Sequence, residues 1–215
     1  MTYVFAAGAG ERKTITMPDQ SVVHLNAGSR ITYDEAYNED GRELTLEGEA
    51  FFEVTEDPQK PFKVLHGGLT TEVLGTSFNI HAYSAAADMK VTVATGRVRV
   101  SGAANATLAA GQSLTYVKSS ATANVTKPSH VEQSYSWKDG VLAFDSERLG
   151  DIAHTLERWY NVTVHLEGEG AANCRFTGAF ERLPLEKVLS LLSKNGNFSY
   201  RINGRDVYIT GVPCP

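Results

Sequence analysis

The residues with the most obvious chemical capacity are carboxylates. In LEGEAFFEV (46–54), Glu47 and Glu49 flank Gly48, and Phe51 and Phe52 follow. Two acids beside aromatics are the material of an acid/base pair in a sugar cleft, which holds its carboxyl groups roughly 5–9.5 Å apart. Adjacency in the chain does not supply that spacing. A glycine between strand-like runs marks a turn or a bulge, so the stretch reads as a turn followed by a strand, with Phe51 or Phe52 entering the core.

The other candidates resolve the same way. Six histidines (24, 66, 81, 130, 154 and 165) form no HxxxH or HExxH pattern, so any metal site would need distant partners. GAGER (8–12) lacks the Lys-Ser/Thr of a phosphate loop, and VLGTSFNI (73–80) lacks the flanks of a nucleophile elbow. The latter reads as strand–turn–strand, with Phe78 and Ile80 inward and Asn79 outward. Cys174, at a strand start, and Cys214 lie 40 residues apart and fit no CxxC or zinc spacing. In an oxidising compartment they can pair. No catalytic residue, metal or cofactor is expected, and the chain reads as a non-enzyme.

These residues sit in 215 positions that are 42% hydrophobic and 21% charged, ordinary values for a globular protein of one large or two small domains. The net charge of −5, with Lys and Arg scattered singly, argues against nucleic acid as a partner. No run of about 18 apolar residues offers a membrane span. MTYVFAAGAGERK has no basic region ahead of its apolar patch, as a signal peptide would.

The chain has two rhythms. From residue 14 to about 126 short segments such as RELTLEG, MKVTVATG and RVRVSG alternate polar and apolar residues and are broken by Gly, Asn, Asp and Pro. Period two marks strands with one buried face. Residues 1–126 therefore read as an all-β domain, either a sandwich or an irregular β-solenoid. Residues 127–136 read as a linker.

Residues 137–215 change period. VLAF (141–144) is a strand, and Asp145 or Ser146 caps the helix after it. Leu149, Ile152, Ala153, Leu156, Trp159 and Tyr160 fall on one helical stripe, with the two aromatics read as core. NVTVHL and CRFTGAFER are strands, and Pro184 opens a second helix with Leu185, Val188, Leu189 and Leu192 buried. FSYRI and DVYIT flank Asn203-Gly204 as a hairpin. The order is a doubled βαβ unit plus a strand, so the fold class is mainly β with an α+β C-terminal domain.

Taken together, these segments resemble the FecR family. MPDQSVVHLNAGSRITY (17–33), RELTLEGEAFFEV with PFKV (42–54, 61–64), VLGTSFNI (73–80) and VATGRVRV (93–100) are similar to its successive motifs. WKDGVLAF (137–144), LGDIAHTLERWYNVTV (149–164) and FTGAF (176–180) resemble its C-terminal module, which is related to the small secretin/TonB N-terminal signalling domains. The resemblance implies an anti-sigma factor of Gram-negative bacteria, of a variety typical of Bacteroidetes. Its periplasmic part receives a signal from the N-terminal domain of a TonB-dependent outer-membrane transducer. A cytoplasmic segment controls an extracytoplasmic-function sigma factor, and one helix anchors the protein in the inner membrane. This chain lacks counterparts of the last two and is expected to be the excised periplasmic part, with Met1 added. The strand DVYIT is expected at a sheet edge, where unpaired backbone recruits a partner strand. Val207, Tyr208 and Ile209 of that strand are accordingly partner-binding candidates, and Arg158, beside the helix-end aromatics and expected to be exposed, is a rim candidate. The rival readings are a carbohydrate-binding protein and a cell-envelope scaffold.

Overall fold

The computed structural model describes residues 1–39, 41–168, 171–196 and 198–211. The chain divides into one compact unit of Met1–Lys138 and a second from Asp139 onward.

The first unit is built of β1 (Thr2–Ala7), β2 (Lys13–Thr16), β3 (Val22–Leu25), β4 (Ser29–Asp34), β5 (Arg42–Glu53), β6 (Phe62–His66) and β7 (Leu69–Val73). It continues with β8 (Ser77–Ala82), β9 (Asp88–Thr95), β10 (Arg97–Gly102), β11 (Ala106–Ala109), β12 (Ser113–Val117) and β13 (Thr122–Thr126). All join one large sheet, nearly closed into a barrel. Its axis is β5. The first part of β5 pairs with β4 and β6, and the second part with β3 and β8. One half of the sheet thus runs β1-β4-β5-β6-β7-β10-β11, the other β2-β3-β5-β8-β9-β12-β13. The alternation seen in the sequence turns Leu44 and Leu46 from one half, and Phe52, Phe78 and Ile80 from the other, into a single core. This matches the sandwich more closely than the solenoid: β5–β6 is the one parallel pair among the described strands of this sheet.

The reading of LEGEAFFEV as a turn and a strand is corrected here. All of the stretch but Val54 lies within a single twelve-residue strand that bends from one half-sheet to the other. Gly48 makes the bend at φ +99°, and a Cβ there would stand 2.4 Å from Ser29 Oγ and 2.8 Å from Ser29 Cα. Only glycine lets the two strands approach so closely. The Ser29 hydroxyl accepts from the Glu49 amide (2.8 Å) and donates to Tyr83 Oη (3.2 Å), which fixes the bend. Phe51 and Phe52 are both buried, on opposite faces.

Residues 127–136, expected as a linker, hold most of a 3-10 helix, Val131–Asp139. Its aromatics give it a place to lie. Tyr135 packs on Phe51 (5.0 Å between centroids), and Trp137 is only 6% exposed. A Ser/Thr/Asn-rich composition hid these two anchors.

In the second unit β14 (Val141–Arg148) leads to α1 (Leu149–Tyr160), β15 (Thr163–Glu167), β16 (Arg175–Glu181), α2 (Leu185–Gly196), β17 (Phe198–Asn203) and β18 (Asp206–Gly211). The expected element order is present, but each βαβ spans two sheets. β14 pairs with β16, while β15, β18 and β17 form a separate sheet in that order. Asp145 and Ser146 do not cap α1. They lie in a bulge of β14, with Ser146 at φ +51°, and Arg148 holds the N-cap position without a side-chain cap bond. Pro184 sits just ahead of α2, its carbonyl accepting from the Val188 amide. The hairpin turns one residue later than expected: Asn203 and Asp206 pair, leaving Gly204-Arg205 as the loop, with Gly204 at φ +61°. Leu142, Ile152, Leu156, Val188, Val207 and Ile209 lead the core. Cys174 is buried there and disulfide-bonded. Cys214, its expected partner, lies outside the described residues.

Candidate functional site

The bend at Gly48 separates the two carboxylates that opened the question. Glu47 is exposed and pairs with Arg30 across β4 (2.7 Å). Glu49 is 8% exposed on the outer face of the other half-sheet, where its two oxygens accept from Asn79 Nδ2 (2.9 Å) and Asn26 Nδ2 (2.8 Å). Two amide donors satisfy a buried carboxylate, so Glu49 acts here as the centre of a hydrogen-bond network. Asn79 Oδ1 in turn accepts from the indole Nε1 of Trp137 (3.1 Å), and the Trp137 carbonyl accepts from Arg12 (2.8 Å). Lys138 stands over the Phe51 ring at 5.5 Å. The 3-10 helix is thereby a strap clamped over a polar sheet face. Partial burial, with Glu132 nearby, raises the pKa of Tyr135 within it.

A second polar cage lies at the start of β5. Arg42, buried, donates to the carbonyls of Lys60 (2.7 Å) and Thr55 (2.7 Å) and to Asp19 Oδ2 (3.1 Å). The cage pins residues 54–61 against the sheet. Among the described residues no group of three or more His, Cys, Asp or Glu is placed to hold a metal ion.

The four partner-binding candidates fall in the second unit, and the structure does not gather them. β18 is the middle strand, paired on one side with β15 and on the other with β17. The expectation that DVYIT forms an edge is therefore corrected: its backbone groups are engaged on both sides. Val207 and Ile209 are fully buried in the core. Tyr208 points the other way. It stacks on His165 of β15 (4.7 Å) and receives Arg201 of β17 over its ring (4.2 Å), while Asp206 holds His165 Nε2 at 2.9 Å. Arg158 is half-buried on α1, its guanidinium 3.1 Å from Thr155 Oγ1, and α1 packs on the core side. Tyr160 anchors that helix through Leu183 carbonyl (2.7 Å), and Trp159 packs against the core beside it.

What sequence reading missed is the ladder His165–Tyr208–Arg201. Its signal was spread over three strands, TVHLE, DVYITG and FSYRIN, but their register requires knowing which strands are neighbours. The same holds for the cleft beside β15, lined by Gly150, Asp151, His154, Val164, Leu166 and Asn173. No helix among the described residues is long and apolar enough to cross a membrane.

Residues 3–99 match the family described as "FecR protein", and residues 141–209 match "FecR, C-terminal". Two crystal structures from Parabacteroides distasonis, each described as that of a candidate anti-sigma factor, share the fold over nearly the whole length. One, at 1.65 Å resolution, is 30% identical over 97% of this chain and 99% of its own, with a TM-score of 0.92. The other, at 2.50 Å, is 29% identical over 98% and 99%, with a TM-score of 0.93. No curated protein matches the chain.

Proposed function

The chain belongs to the FecR family of anti-sigma factors, and on that premise we propose that it is a periplasmic signal-receiving region coupling a TonB-dependent outer-membrane transducer to an extracytoplasmic-function sigma factor. The observation that carries this is the order and extent of the match. Both units align, in sequence, with an anti-sigma relative over 97% of this chain. In this reading the β unit is a rigid spacer, and the second unit receives the transducer's N-terminal signalling domain. Neither contact with the sigma factor nor anchoring in the inner membrane is assigned to these two units in this reading. The reading assigns no catalytic step. A signal passes only if the partner binds one conformational state better than another.

The test is a calorimetric titration of the chain with the signalling domain of the transducer encoded beside it. Saturable 1:1 binding, lost when residues from Asp139 onward are deleted and the remaining β unit keeps its circular dichroism, supports the reading. No binding by a folded chain removes it and brings forward the carbohydrate-binding and scaffold alternatives.

A further inference from the structure

The second unit keeps one sheet edge open. Among the described strands β15 pairs only with β18. In a parallel ladder alternate residues turn both backbone groups to the same neighbour. The Thr163 amide donates to the Arg205 carbonyl, on the β18 side (2.8 Å). Val164 and Leu166 therefore turn their amides and carbonyls outward. On that side lies a cleft of about 370 Å³, lined also by Gly150, Asp151 and His154 of α1 and by Asn173.

One outward group already has a substitute partner. The Val164 amide donates to Glu157 Oε1 at 2.9 Å, where the carbonyl of an added strand would sit. Two residues along the same edge, the outward groups of Leu166 meet the cleft. The rim adds no charge that calls for an ion, because Arg148 and Asp151 neutralise one another at 2.9 Å. Residue 150, in the α1 lining of the cleft, is glycine. A Cβ there would meet only Ala172, at 3.5 Å and 3.7 Å, which is ordinary contact. Space, outward backbone groups and a neutral rim suit an extended polypeptide better than a charged small molecule.

We propose that β15 accepts an added strand from the partner: an extended segment of the transducer's signalling domain. Its backbone bonds to Leu166, its carbonyl replaces Glu157 on the Val164 amide, and a short apolar side chain lies over Gly150. The proposal rests on the function proposed above. It moves the contact from β18, whose edges are both taken, to the edge that the fold leaves open.

Two variants of the full chain test it. Leu166→Pro deletes an outward amide without touching the β15–β18 ladder, a position where a strand tolerates proline. Gly150→Leu fills the cleft and favours the helix that carries it. Both are expected to fold, Leu166→Pro with a lower melting temperature because Leu166 packs against the core, and to weaken binding of the transducer domain at least tenfold by calorimetry. In the parent complex the Leu166 amide is expected to gain protection from hydrogen exchange. If the parent binds and both folded variants bind within twofold of it, the edge proposal fails and the function stands. If the folded parent does not bind at all, both fall. If the parent self-associates through this edge, with dimers abolished by Leu166→Pro and transducer binding unchanged, the occupant is a second copy and the proposal is overturned.

Discussion

Gly48 shows how much one residue decides. Its φ of +99° and the 2.4 Å that would separate a Cβ from Ser29 Oγ leave no room for any side chain. Gly48→Ala is expected to destabilise the β unit by at least about 2 kcal/mol, from backbone strain and the displacement of Ser29, read as a lower denaturant midpoint. His66 acts through its proton. It is 2% exposed with Nε2 2.8 Å from Thr71 Oγ1, and burial lowers its pKa from 6.5 to about 4. The folded state holds it neutral, whereas the unfolded chain takes up a proton below about pH 6.5. Stability from this group is therefore complete above about pH 6.5 and declines by about 3 kcal/mol as pH falls to about 4. His66→Gln should flatten that part of the pH–stability curve measured by urea denaturation. The chemistry of single residues was the least legible part of the sequence. Glu49 reads as a free acid until Asn26 and Asn79, 23 and 30 residues away, are brought to its oxygens.

At the scale of elements, strands and helices were legible because period two and period 3.6 are local. Leu44 and Leu46 on β5, and Ile152 and Leu156 on α1, point where their spacing says. Neighbourhood was not legible. Nothing in DVYIT tells that β15, some 40 residues earlier, lies beside it; the two pair in parallel from Thr163↔Asp206 to Glu167↔Thr210. The strap was missed for another reason: its polar composition resembles a linker, and Tyr135 and Trp137 gain meaning only from the sheet face below them. Trp137→Ala removes the indole from Asn79 and the bulk that holds the strap down. Expected is a new site of limited proteolysis within residues 127–138, with the sheet itself still folded by circular dichroism. Asn79→Ala removes both the Trp137 acceptor and a donor to Glu49. It should open the same site and cost about 1–3 kcal/mol, because it leaves buried polar groups unpaired.

For the whole molecule, the two cores draw on separate parts of the chain. Every member of the first lies at or before Tyr116, and every member of the second at or after Leu142. Each can therefore lose its packing on its own terms. Leu156→Ala, which empties a fully buried site on α1, is expected to lower the stability of the second unit by about 2–5 kcal/mol. Calorimetry should show that transition move while the transition sensitive to Gly48→Ala stays in place. The placing of β18 has a further consequence, in time. Among the described residues it is the last of eighteen strands in chain order, yet it is the middle one of its sheet. Until residues 206–211 leave the ribosome, β15 and β17 have no strand between them, and Val164, Leu166 and Tyr200 lack the surface they pack on. The second unit must wait, open, for its final strand. A chain stopped a few residues early loses the centre of a sheet, where a stop at an edge strand would only have trimmed it.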